Sequence, residues 1–200
     1  MKKKFTFVLA AVSIAVLFSS CGKVPQVEID AANVAVEEAK TAGADIYVAE
    51  GFVALKDSMR AISENIETQK AKLFANYSKV KDQLATVNQM AVETKTKAEA
   101  RKEEINLEIS NLQVEVNAIL IQNNELITQA PKGKEGTAAL EAIKSDISLI
   151  QNSLGEVATL VVNGDLIPAL DKVKAAKEKA VAINSELNEV IAKYTKNKRK

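Results

Sequence analysis

Histidine and tryptophan are missing from the chain altogether, and cysteine occurs once, at position 21. Without histidine there is no Ser/His or Cys/His nucleophilic pair, and zinc would have to be held by unusual ligands. A lone cysteine has no disulfide partner within the chain. Glycine and proline number only seven and three in 200 residues, too few for the many turns of an all-β fold. Aromatic residues make up 4% although hydrophobic residues make up 47%, so a core must be built mainly from Ala, Val, Ile and Leu. Such side chains suit closely packed helices. A charge excess is lacking as well: 27 basic and 26 acidic residues leave +1 at neutral pH, which gives a nucleic-acid backbone little to bind.

Constellations that carry chemistry are equally scarce. Glu37-Glu38 and Glu103-Glu104 are adjacent in sequence and so project about 100° apart on a helix, which makes solvated faces rather than a catalytic dyad. The stretch GKEGT, residues 133–137, lacks the spacing of a phosphate-binding loop and follows no strand, so it reads as a turn. Asn76-Tyr77-Ser78 matches a glycosylation sequon but falls within a helical pattern, and is read as chance. No enzyme activity, cofactor or metal is expected.

The N-terminus is informative. Lys2, Lys3 and Lys4 precede an apolar run over residues 5–18, and Ser19 and Ser20 follow, the order of a secretory signal. The run falls short of the ~20 apolar residues that a membrane span needs. Cys21 has no second cysteine, no ligand cluster and no histidine to work with, which leaves attachment. Phe18-Ser19-Ser20-Cys21 resembles the lipobox of bacterial lipoproteins, with Phe18 where many carry Leu. The resemblance implies that the Cys21 sulfur receives a diacylglycerol carrying fatty acids such as palmitate, and that Cys21 becomes the first mature residue. An uncleaved anchor or a free thiol is the other reading. Gly22 in place of Asp lacks the inner-membrane retention signal known from enteric bacteria, which points to the outer membrane. Cleavage removes three lysines and no acid, taking the charge from +1 to −2.

Past the leader, breakers fall near Pro25, in AGADIYVAEGF, around Pro131 and around Gly164, and they separate four segments of helical periodicity. The first, residues 26–46, carries Ala32, Ala35, Ala39 and Ala42 at spacings of three and four, a stripe that lets another helix approach closely. The second, residues 49–130, carries a stripe from Phe52 through Leu73, Tyr77, Ala91 and Ile109 to Ile119 and Leu126. If unbroken it would be on the order of 120 Å long. Gln69, Asn76 and Asn123 interrupt the stripe, and either fix register or face water at a gap. The third runs from a Thr137 N-cap through Leu140, Ile143, Ile147, Ile150, Leu154 and Val157 to a stop at Asn163-Gly164. The fourth is capped by Asp165, with Pro168 in its first turn. Whether it continues the third or doubles back stays open, the tight Asn163-Gly164-Asp165 favouring a hairpin. The fold class is all-α: an elongated helical bundle or antiparallel coiled coil with one very long helix. Its parts are a leader over 1–20, a lipidated linker over 21–25, a helical bundle over 26–196 and a basic tail over 197–200.

Residues 25–59, PQVEIDAANVAVEEAKTAGADIYVAEGFVALKDSM, resemble the start of a family of alanine-rich, Bacteroidetes-type cell-envelope lipoproteins of unassigned function. Tyr47 and Glu50 match that family's turn between its first two helices, while Val48 and Ala49 replace an Ala and a Pro. The resemblance implies an envelope location and a helical architecture. The basic end, with Lys196, Lys198, Arg199 and Lys200, reads as a solvated tail that complements the negative end of the last helix. It also resembles the end of peptidoglycan-linked outer-membrane lipoproteins of enteric bacteria, which implies a cell-wall link at Lys200 or contact with an anionic surface. The expected function is that of a lipid-anchored periplasmic spacer, tether or scaffold on the outer membrane. The alternative is a helical binding module, an accessory subunit of an export or uptake complex. Membrane, an envelope protein, peptidoglycan or a second copy of the chain are the expected partners, and nucleic acid is not.

Overall fold

The computed structural model describes residues 22–131 and 134–198. Regular structure among them is helical throughout: α1 (Gln26–Thr41), α2 (Ala44–Tyr47), α3 (Ala49–Lys70), α4 (Ser78–Gln129), α5 (Lys134–Asn163) and α6 (Leu166–Lys198). The all-α bundle and its one very long helix, α4 with 52 residues, agree with the sequence pattern. The chain divides after Arg101 into two compact units, and α4 gives residues 78–101 to the first and 102–129 to the second.

In the first unit α1 starts at Pro25, whose fixed φ suits the entry to a helix. It ends earlier than the periodicity predicts because Gly43 adopts φ 86°, a left-handed conformation open mainly to glycine. The Gly43 carbonyl then accepts hydrogen bonds from the Ile46 and Tyr47 amides, starting the short α2. Ala32 and Ala39 are fully buried against a core that includes Leu55, Leu84, Ala91 and Ala98. Small residues on both sides let the helix axes approach closely. Ion pairs Glu28–Lys81 at 2.9 Å and Glu38–Lys95 at 3.0 Å ascend together, so α1 runs parallel to the start of α4. Asn65 donates to Gln83 at 2.9 Å and Gly51 faces Thr94, so α3 runs antiparallel to α4.

That antiparallel course answers whether residues 49–130 form one unbroken helix: they form two, α3 and α4. Residues 71–77 form a turn in which Leu73 is 81% exposed, although it keeps the stripe's spacing. Asn76 accepts the Ser78 amide at 2.9 Å, and Gln69 accepts the Asn76 amide at 3.3 Å. Both amides therefore organise the turn rather than a register inside the stripe, and the sequon straddles the end of that turn and the first residue of α4. Doubling back lets the apolar faces of α3 and α4 cover one another, burying Ile62 and Ile66 with Val80 and Leu84.

In the second unit α5 and α6 form the hairpin that Asn163-Gly164-Asp165 favours. Gly164 has φ 84°, its amide bonds the Val161 carbonyl, and the Asp165 amide bonds the Leu160 carbonyl, the two hydrogen bonds of a Schellman stop. The Ala169 amide bonds the Asp165 carbonyl as α6 begins. Ion pairs Glu108–Lys174 and Glu115–Lys177 ascend together, so α6 runs parallel to the second part of α4. Two expectations are corrected here. Helix α5 already begins at Lys134, which places Thr137 inside the helix and makes part of GKEGT helical. Beyond Val116 the buried positions of α4 are Leu120, Asn123 and Ile127, with Ile119 and Leu126 only half-buried, because the stripe advances by four, three and four residues from Val116.

Candidate functional site

Among the residues the sequence singles out, Cys21, Arg199 and Lys200 lie outside the described residues. Lys196 is exposed near the end of α6, which continues through Lys198, so part of the expected tail is helical. Glu37, Glu38, Glu103 and Glu104 are exposed on helix faces. Among the described residues no group of three or more Cys, Asp or Glu side chains could hold a metal ion. No described helix is long and apolar enough to cross a membrane.

Three arrangements remain with functional content, and the first is at one end of the N-terminal unit. Gly22, the first described residue, lies against the turn of residues 71–77: a methyl group added to it would stand 2.9 Å from the Ala75 carbonyl oxygen and 3.4 Å from the Tyr77 ring. Val24, two residues on, packs like Ala75 against the core containing Ile66 and Tyr77. The start of α1, the end of α3, the turn and the start of α4 are thus gathered at one place. Around them, Lys70 bonds Glu67 at 2.7 Å and Lys81 bonds Glu28 at 2.9 Å. The hydrogen bond from Lys81 holds the Glu28 carboxyl below its usual range, and the one to Glu67 raises the Lys70 ammonium.

The second is a buried amide layer in the C-terminal unit. Asn123 is fully buried; its Nδ2 donates to the Ala180 carbonyl at 2.9 Å and its Oδ1 accepts from Asn184 Nδ2 at 2.8 Å. Asn188 Nδ2 continues the chain to Asn184 Oδ1 at 3.0 Å. A slip of one helix along the other would strand these amides without partners, at about 1–3 kcal/mol each. The Asn123 side chain therefore does fix register. Asn184 and Asn188 were missed by the sequence reading, although their spacing of four from one another was available as a signal.

The third is a groove between α5 and α6 in the same unit, with a volume of about 670 Å³. Ile150, Ala176 and Ile183 form its buried floor, while Leu149, Asp146 and Lys179 stand exposed along it. Alanines at 175, 176 and 182 keep it open, since larger side chains there would fill it. Its chemistry is that of apolar contact with charged edges and offers no nucleophile or general base positioned by a third group. No family model matches the chain, and no curated protein or solved structure matches it either.

Proposed function

We propose that the chain is a lipid-anchored protein of the cell envelope, held by Cys21 at the periplasmic face of the outer membrane, with a helical bundle that acts as a non-catalytic spacer, tether or scaffold. The observation that carries this reading is the lone cysteine at the end of a basic, apolar and then small-residue leader. The fold is consistent with it. Packed helical structure begins within a few residues of Cys21, and helices with one apolar face each bury it inside their own unit. A single acyl chain holds a protein only marginally, whereas two or three hold it lastingly. The resemblance of residues 25–59 to envelope lipoproteins supports the same address. Mass spectrometry of the product purified from its native membrane tests it. The expected mass is that of a chain beginning at diacylglyceryl-Cys21, and an unmodified thiol with the leader still attached would overturn the proposal.

The groove between α5 and α6 favours a second reading, a binding module that receives an apolar helix face or ligand. Crosslinking in intact cells from a photoreactive residue at position 149 distinguishes the two. A specific envelope protein captured there supports the module, and no specific product leaves the scaffold.

A further inference from the structure

We propose that the turn between α3 and α4 is a second membrane contact, in which Leu73 and Phe74 enter the outer layer of an anionic phospholipid bilayer and the neighbouring lysines bind its headgroups. This rests on, and deepens, the reading of Cys21 as the lipid anchor. Leu73 is 81% and Phe74 79% exposed at the tip of a turn, where water normally selects small and polar residues. Two adjacent large apolar side chains at such a tip call for a covering surface. Charge identifies that surface. Residues 68–81, TQKAKLFANYSKVK, contain four lysines and no acid. Lys70 and Lys81 are paired with Glu67 and Glu28, set back from the tip, while Lys72 and Lys79 beside it are exposed, as is Lys23 after Gly22. Apolar side chains flanked by lysines, whose stems reach past them to the headgroups, form an interfacial pattern.

Position points to the same surface. Gly22 touches the turn, and Cys21 is joined to Gly22 by a single peptide bond, with ~3.8 Å between consecutive Cα atoms. Acyl chains on residue 21 are therefore tethered one residue from a contact with the turn that carries Leu73 and Phe74, and a bilayer that receives them is within reach of that turn. Acyl chains alone leave the attached bundle free to swivel. Adding an apolar tip with lysines around it fixes the direction in which the N-terminal unit leaves the membrane, which is what a spacer or tether requires.

Because the chain has no tryptophan, Phe74→Trp places a single reporter at the tip. The full, natively processed variant is purified from membranes and reconstituted into phosphatidylcholine vesicles with and without phosphatidylglycerol. The expected result is emission shifted to shorter wavelength and quenched by brominated acyl chains, more strongly with phosphatidylglycerol. Adding Lys72→Gln and Lys79→Gln should lower the ratio of inserted to free tip by about fivefold per lysine in the anionic vesicles. Emission as in water, unquenched while the protein floats with the vesicles, would overturn the proposal. The mass of the same sample separates the two claims. Diacylglyceryl-Cys21 with an unquenched indole at 74 leaves the anchor and removes the contact, whereas an unmodified Cys21 removes the anchor reading and leaves the quenching to decide the contact by itself.

Discussion

The two units share a plan and differ in how they are closed. Each sets one helix parallel and one antiparallel to its portion of α4. The N-terminal unit places Ala32, Ala39, Ala91 and Ala98, all fully buried, at the contacts of α1 with α4, so its packing depends on close approach. The C-terminal unit buries the larger Ile105, Ile109, Val116, Val157, Val173 and Leu187 beside Ala169, Ala176 and Ala180, and it adds the Asn123–Asn184 layer. Branched side chains in a repeating stripe pack almost as well after a slip of one turn, so the second unit gains from a polar group that tolerates one partner only. Alanine contacts fix spacing sterically, and two cross-helix ion pairs to α4 add to the axial position in each unit, Glu28–Lys81 and Glu38–Lys95 in the first and Glu108–Lys174 and Glu115–Lys177 in the second. The buried Asn123–Asn184 layer is what the second unit adds to these.

The largest effects should come from exchanging the two kinds of contact. Ile109→Ala in the C-terminal unit opens a cavity among residues that cannot close in, and should cost about 2–5 kcal/mol by denaturant unfolding. In the N-terminal unit the reverse change is the damaging one. Ala39→Leu forces α1 away from α4 and should cost about 1–3 kcal/mol, with hydrogen exchange rising in α1 first. If Ala39→Leu were neutral, close approach would not be what holds that unit.

The amide layer sharpens the contrast. Asn123→Ala leaves the Asn184 amide and the Ala180 carbonyl without their partner and should cost about 1–3 kcal/mol. Replacing both Asn123 and Asn184 by Leu should be close to neutral in stability while broadening NMR signals of α6, since apolar packing remains and the single register does not. Sharp, unique signals from the double variant would show that Asn123 packs without specifying anything.

The long stripes made the helices legible, because buried faces repeat every three or four residues wherever a helix packs on one side. They concealed the turn at residues 71–77 for the same reason: Leu73 and Tyr77 continue the spacing through it, and neither glycine nor proline marks it. The real marker was Asn76, which can accept the amide two residues on, together with an acid-free run of lysines around two adjacent apolar residues. Gly164 was easier, since glycine between periodic segments is the ordinary means of reaching positive φ, whereas Gly43 lay inside the segment expected to run to residue 46. Gly43→Ala should destabilise the N-terminal unit by about 1–2 kcal/mol from the backbone alone. The added methyl would also stand 2.9 Å from the Tyr47 ring, so a loss no larger than the backbone's own would mean that Tyr47 gives way. Of the candidate site, Cys21 and the basic end were visible as residue types in order, whereas the groove depends on which faces of α5 and α6 meet, and that requires their hairpin geometry.

The smallest expected effect concerns the ion pairs that set α1 against α4. The hydrogen bond from Lys81 lowers the Glu28 carboxyl, so this pair stabilises the folded state above the ordinary carboxylate value and is lost as pH falls through the lowered one. The hydrogen bond to Glu38 raises the Lys95 ammonium, so the second pair contributes below the ordinary lysine value and is lost as pH rises through the raised one. Both pairs are exposed to solvent and weakened by salt, so each contributes little by itself. Thermal unfolding followed across pH should show Glu28→Gln losing part of the acid-side decline in the melting temperature while keeping the alkaline one. Glu38→Gln should do the opposite. Neither change should alter the contact of α4 with α6, which is aligned by the uncharged Asn123–Asn184 layer and by ion pairs of its own.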